Sequence, residues 1–461
     1  MSGLRFSPRS LNLAVLRSLA CAMAAGLATP AQSSDLLDIF REAKANDAAY
    51  ASARASLEAG QEKLPQGRAL ILPTFNATGN STYSGNRVEQ LATGPIASTV
   101  PVVRDFHTNA WTVALTQPLY RWQNWIQYEQ AGFQVAQSEA QFGQATQDLV
   151  VRVAQAYFDV LAADNSLAFI VAQKAAISEQ LAQAKRNFEV GTATITDTNE
   201  AQARFDLAVS QEIAAQNDLE IRKRTLQQII GRFPDSLTPL RSKFVLNPPE
   251  PNRMEDWAEA AQKQSYTVRI QEAAAQIAER EVKRNRAAHL PTVDLVATYG
   301  NTVSTGAVAS ATGTGTDVRS TTLGLQLAVP LYAGGLIDSR VREALANFDK
   351  ARADLENSRR QAALSARQSF LGVTNGMAQV RALEQAVTSS ETALASNKLG
   401  YEVGVRINID VLNAQQQLFS TRRDLALARY NTIVNGLRLK AAAGSLTEAD
   451  LAAVDELLGT D

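Results

Sequence analysis

Most of this 461-residue chain is written twice. The stretch 38–74 ends in Leu72-Pro73-Thr74, and 256–292 ends in Leu290-Pro291-Thr292, 218 positions later. Gln117-Pro118-Leu119-Tyr120 returns as Val329-Pro330-Leu331-Tyr332 at an offset of 212. Phe188-Glu189-Val190-Gly191, followed by Ile195-Thr196-Asp197, returns as Tyr401-Glu402-Val403-Gly404 followed by Ile409-Asp410. That pair, and Gly231 with Gly444, keep an offset of 213. The slip between offsets falls in one segment and makes a loop about six residues shorter in the second copy. A duplication of this length restricts the fold to one architecture assembled from two like halves. The expected organisation is a signal peptide at 1–31, a first repeat at 35–232, a proline-rich linker at 233–253, a second repeat at 254–443 and a tail at 444–461.

The N-terminal segment reads as a secretory signal: Arg5 and Arg9 precede a small apolar stretch at 18–28, and Thr29-Pro30-Ala31 fits a cleavage site. The only cysteine, Cys21, lies inside it; a lipoprotein reading would make it the acylated residue, but Arg17 interrupts the apolar run before it and 22–28 continues that run, as for a filler in the signal. The mature chain therefore has no thiol for disulfides or thiolate chemistry. Removing the signal and its three arginines moves the formal charge from −1 to −4, which argues against nucleic acid as a partner. No apolar run of about 20 residues is evident in the mature sequence, so no helical membrane span is expected.

Each half reads as helix, strand, polar loop, strand, very long helix, turn and long helix. In 75–83, Phe75, Ala77, Gly79 and Tyr83 alternate with Thr74, Asn76, Thr78, Asn80 and Thr82. In 107–119, Trp111, Val113, Leu115 and Leu119 oppose Thr108, Thr112 and Thr116. The second copy sets Val293, Leu295, Ala297 and Tyr299 against Thr292, Asp294, Thr298 and Thr302. Its last strand sets Thr321, Leu323, Leu325, Leu327, Val329 and Leu331 against Ser320, Thr322, Gly324 and Gln326. Such alternation gives each strand one apolar and one polar face. Strands of about 10 residues suit a tilted crossing with the apolar face on lipid and the Thr, Ser and Asn face on a wet lumen. The segments 84–106 and 303–319, rich in Gly, Thr, Ser and Ala, read as solvent-exposed loops. Four strands cannot close a barrel and an open edge is not tolerated in lipid, so several chains must share one barrel.

The helices carry most of the mass. The segments 121–187 and 335–397 contain no proline and each reaches about 90–100 Å as a helix. Gly191 and Gly404 mark turns before return helices at 197–230 and 410–443. Leu383, Val387, Leu394 and Tyr401 share one coiled-coil frame, and Ile170, Ile177, Leu181 and Phe188 occupy it one repeat earlier. Leu412, Phe419, Ala426 and Ile433 step by sevens. Abundant alanine lets such helices pack closely on more than one face.

No catalytic or metal-binding constellation is present. The two histidines, His107 and His289, stand apart, and no His-x-x-His or Glu-x-x-His spacing occurs. Gly313-Thr314-Gly315 is loop composition without a following helix or lysine. No cofactor, catalytic residue or metal ligand is expected, and the chain does not read as an enzyme.

These motifs resemble the TolC family of outer-membrane efflux proteins. The likeness rests on the paired Leu-Pro-Thr strand starts, Gln117-Pro118-Leu119-Tyr120, Pro330-Leu331-Tyr332-Ala333-Gly334-Gly335, Ala156-Tyr157-Phe158-Asp159-Val160-Leu161 and the two turns, and it spans the chain from Asp35 onward. The resemblance implies a mainly α fold with membrane β-strands. Long antiparallel coiled-coil helices form an α-barrel, and four strands per protomer contribute to a 12-stranded barrel shared by a homotrimer. It implies a Gram-negative outer membrane as location, extension into the periplasm, and contact with outer-membrane lipid. The function it implies is passive exit for substrates of multidrug efflux or type I protein secretion. They are delivered by an inner-membrane RND or ABC pump through a periplasmic adaptor (membrane fusion) protein. It also implies a gate at the helical tip. Tyr401 and Arg406 match the closing residues, whose partners correspond to Thr196 and Asp197. Asp410 matches an acidic ring at the narrowest point, and Asn413 stands where the close pattern has a second aspartate. Helix capping is the competing role for Asp197 and Asp410. A dedicated exporter of one polypeptide or metal is the nearer alternative; a periplasmic coiled-coil structural protein is the more distant one.

Overall fold

The computed structural model describes residues 35–88, 102–192, 194–241, 244–307 and 314–459. The proposed signal at 1–31, with Cys21, and the loop centres lie outside the described residues. The first half contains α1 (Leu36–Asn46), α2 (Ala48–Gln61), α3 (Lys63–Ala69), β1 (Thr74–Val88), β2 (Val102–Tyr120), α4 (Trp122–Glu189) and α5 (Ile195–Ile230). The second contains α6 (Met254–Gln264), α7 (Tyr266–Arg286), β3 (Thr292–Ser304), β4 (Thr316–Ala328), α8 (Leu336–Glu402) and α9 (Asn408–Ala442), with α10 (Glu448–Asp455) in the tail.

The opening helix of each half, expected to be continuous, is broken. Asp47 leaves helical geometry to cap α2, its carboxylate accepting the Tyr50 N–H at 2.6 Å, and Ser265 separates α6 from α7. Asp47 and Ser265 are 218 positions apart, the offset of this part of the duplication, so the break belongs to the repeated design.

The strands form one antiparallel sheet in the order β1-β2-β3-β4. They run longer than their apolar alternation suggests. β1 continues to Val88 and β2 begins at Val102, so much of 84–106 is strand rather than loop; Gly85 pairs with Asp105 and Asn86 with Arg104. β3 likewise reaches Ser304 and β4 begins at Thr316. Cross-strand pairing carries these polar and glycine residues, whose own propensity is for turns. At the other end, Val329 and Leu331 fall beyond β4, where Pro330 has no N–H to give a ladder.

Register assembles the faces. Phe75, Leu115, Ala297 and Leu323 form one row across all four strands, and Ala77, Val113, Tyr299 and Thr321 form another. Between them, on the reverse face, lies the row Asn76, Ala114, Thr298 and Thr322. On the apolar face Phe75 is 70% exposed, Leu323 73% and Leu325 69%. Apolar side chains so exposed across a whole sheet call for a non-aqueous neighbour. β1 and β4 are both open edges.

α4 and α8, of 68 and 67 residues, are each about 100 Å long. α8 packs on α9 and α4 on α5, while α7 lies against both α4 and α8 and α9 returns against α4. The sheet joins this body at β2–α4, where Arg121 grips the buried Asp294 through Nε at 2.7 Å and Nη2 at 2.6 Å. Contrary to expectation, α4 holds one 18-residue stretch apolar enough for a membrane span by length and composition. Only 22% of that stretch is buried within the protomer. Elsewhere on α4, Leu149, Val153 and Tyr157 enter a core with Leu36 and Phe40 of α1 and Tyr430 of α9. The Phe158 and Tyr430 rings stack there with centroids 5.4 Å apart, and the Tyr157 hydroxyl donates to the Thr238 carbonyl at 2.8 Å. Around this waist the linker and the tail meet: Leu240 bridges Leu458, and the Gly459 N–H donates to the Pro239 carbonyl at 2.9 Å.

Candidate functional site at the helical tip

Both long helices end in the same turn. Gly191 and Gly404 adopt φ values of +79° and +78°, a left-handed conformation that L side chains rarely take. In each turn an N–H reaches back to a carbonyl five residues earlier, Thr192 to Asn187 at 2.8 Å and Val405 to Gly400 at 2.9 Å. This is the Schellman closure, and it turns the chain directly into the return helix.

The two copies then diverge. In the first, Thr194 caps α5 and forms a reciprocal box with Asp197. Asp197 N–H donates to Thr194 Oγ1 at 3.2 Å, and the Asp197 carboxylate accepts from the Thr194 N–H at 3.0 Å and its hydroxyl at 2.8 Å. In the second copy Ile407 replaces the threonine and offers no side-chain cap. The Asp410 carboxylate is left to face Arg406, 3.7 Å away. An acid in the first helical turn is favourable in both cases through the helix dipole. Within the protomer Asp197 is engaged as a cap, whereas Asp410 faces Arg406.

The sequence-level pairing of Tyr401 and Arg406 with Thr196 and Asp197 does not form within one protomer. The Tyr401 hydroxyl accepts from Asn187 Nδ2 at 3.2 Å, joining the ends of α4 and α8. Arg406 lies beside Asp410, Asp197 is occupied by Thr194, and Thr196 is exposed. Asn413 is exposed and accepts from Arg204 Nη2 of α5 at 2.7 Å. Three participants escaped sequence reasoning. Asn187 and Arg204 act through contacts with residues 214 and 209 positions away, which no local pattern encodes. Gly400 makes room for Arg406: a Cβ there would lie 2.7 Å from Arg406 Cγ.

Beneath the turns the packing is thin. Ile177, Leu181 and Ala184 of α4, Ala201 and Ala208 of α5, and Leu412 of α9 form a small separate cluster. Asn408 and Gln415 of α9 are buried at 4% and 3% exposure, and Asn408 Oδ1 and Gln415 Oε1 have no hydrogen-bond partner among the described residues. Among the described residues no group of His, Cys, Asp and Glu is arranged to hold a metal ion. The tip offers turns, exposed charge and a thinly packed seam.

The chain matches the outer membrane efflux protein family twice, over residues 39–232 and 257–445. It is 32% identical to the proteases secretion protein PrtF of Dickeya chrysanthemi, covering 95% of this chain and 93% of that protein. It is 31% identical to the outer membrane protein TolC of Vibrio cholerae, covering 92% and 94%. Its fold is similar to that of the outer membrane protein VceC of Vibrio cholerae, with a TM-score of 0.72 at 19% identity over 89% of this chain and 96% of that one. The exposed apolar sheet, the paired long helices and these likenesses agree: the chain belongs to the outer membrane efflux protein family, whose members are outer-membrane channels.

Proposed function

We propose that this protein is the outer-membrane duct through which an export system discharges its substrates. Three copies share one barrel, four strands from each, and their long helices continue it as a tunnel into the periplasm. Conduction is passive. An inner-membrane pump of the RND or ABC type supplies the energy and delivers cargo through a periplasmic adaptor (membrane fusion) protein. The repeats at 35–232 and 254–443 build the tunnel wall, and the linker at 233–253 and tail at 444–461 belt its waist. The two family matches support that division.

The observation that carries this reading is the sheet. It has an exposed apolar face, a polar reverse and two unpaired edges, and a barrel closed with other copies in lipid satisfies all three. A periplasmic coiled-coil rod has no use for such a sheet. The tip is the gate in this reading. Tyr401, Arg406, Thr196 and Asp197 hold it closed across neighbouring helices, and Asp410 and Asn413 ring its narrowest point. A polypeptide is the favoured cargo because a relative similar over nearly the whole chain is named for protease secretion.

Planar-bilayer recording of the purified mature protein, with chemical cross-linking to count subunits, tests the reading. Trimers with small, mostly closed conductances support it. Failure to insert into the bilayer returns the chain to the structural-rod alternative.

A further inference from the structure

One guanidinium joins the two helical pairs just above the tip. Arg204, in the third turn of α5, donates from Nη1 to Gln416 Oε1 and from Nη2 to Asn413 Oδ1, each at 2.7 Å. Asn413 and Gln416 lie three residues apart on α9 and so share one face of that helix. The planar fork of arginine fits two such acceptors at once, which a lysine ammonium does not. Arg204 also lines one small cleft with Ile177, Ala208 and Leu412, so the bonds lie over the seam between the pairs.

The rest of that seam is poorly suited to hold by itself. Among the described residues α9 contributes Leu412 alone to the apolar cluster there; it meets Ile177, Leu181 and three alanines, with Phe205 packed alongside. Four buried side-chain oxygens in this end of the molecule, Gln180 Oε1, Thr198 Oγ1, Asn408 Oδ1 and Gln415 Oε1, have no partner among the described residues. Each such group opposes burial, offsetting the gain from the few apolar contacts. Bonds donated by a charged group are among the stronger ones. Both acceptors are neutral amides, and no acidic partner of Arg204 occurs among the described residues. No carboxylate protonation within the latch can release it.

We propose that Arg204 is the latch of the closed tip: its two bonds to Asn413 and Gln416 hold α9 against α5, and opening requires both to break. This rests on the reading of the tip as a gate. It also gives the asparagine at 413 a role that an aspartate ring does not supply, as a neutral acceptor in a clamp between helices.

The test is open-state occupancy in planar bilayers for trimers verified by cross-linking. R204A, which removes both of these solvent-exposed bonds, should raise occupancy about tenfold, the effect of about 1.4 kcal/mol. The pair N413A/Q416A should raise it equally, and the triple variant no further, because all three remove the same bonds. R204K, which keeps the charge but loses the fork, should also open. Unchanged occupancy in R204A, wild-type occupancy in R204K, or effects that multiply in the triple variant would overturn the latch while wild-type channels still conduct. Wild-type trimers that never conduct overturn the duct reading and the latch with it.

Discussion

Arg406, just before α9, and Asp410, in its first turn, lie 3.7 Å apart with side chains 59% and 33% exposed. An exposed pair of that spacing is worth about 0.3–0.5 kcal/mol. If it were the only bond that Arg406 makes, R406S should leave open-state occupancy nearly unchanged, because both partners ride on one segment in either state. A large rise would mean that Arg406 reaches across to another protomer, as the closing role requires. For Asp410 the expected result is that D410A weakens cation preference, read as a shift in reversal potential under a salt gradient. An unmoved reversal potential would leave Asp410 as a favourable first-turn acid and nothing more. The duplication made these positions legible, because Asp197 and Asp410 are the same site in two copies. It did not show that they diverge. That difference depends on Thr194 against Ile407, and Thr194-x-x-Asp197 carries the spacing of a capping box in the sequence itself. Arg204 carries no such mark. Its acceptors are more than two hundred residues away, and the packing of both α5 and α9 on α4 brings them together.

At the scale of the elements, the strands were legible by period and not by extent. Alternation ends where Gly85 and Asn86 begin, yet the ladder continues because Val102, Val103 and Arg104 pair with the far end of β1. The faces give a direct prediction. Leu325 lies on the apolar side of β4 and Thr322 on the reverse. L325K should cost about 2–4 kcal/mol if that face meets the bilayer midplane, and T322K far less because it faces the lumen. The measure is the yield of membrane-inserted trimer for each variant; equal yields would remove lipid from the apolar face. The contact of α4 with α9 makes a second prediction, on pH. Burial pushes the Tyr430 phenol from its ordinary 10.0 up to about 12, against the opposing hydrogen bond from Asn165. Tyr157 is raised too, chiefly by burial. A raised folded value means that this stability is whole below pH 10.0, the ordinary value, and is lost as pH climbs toward 12. Urea midpoints measured at pH 9 and pH 11 should therefore fall less in Y430F than in the wild type. An equal fall in both would place the ionising groups elsewhere.

The whole molecule is incomplete as one chain, and this follows from its edges. β1 and β4 each present an unpaired row of N–H and C=O groups, and within one protomer they are separated by β2 and β3. Three strand spacings put them about 14 Å apart in the sheet, well beyond the roughly 7 Å that a disulfide can bridge between Cα atoms. The only natural cysteine, Cys21, lies in the proposed signal, so the mature protein is a clean background for introduced thiols. One cysteine at Asn76 on β1, paired in turn with one at each position of β4 from 318 to 326, should give disulfides only between chains. At the matching register, oxidation of membranes should convert the monomer band into a closed trimer that reduction dissolves. A ladder running past three would mean an open array of sheets rather than a barrel. No cross-link at any position would mean that β1 and β4 do not meet, and the twelve-stranded barrel would have to be abandoned even though each protomer keeps its fold.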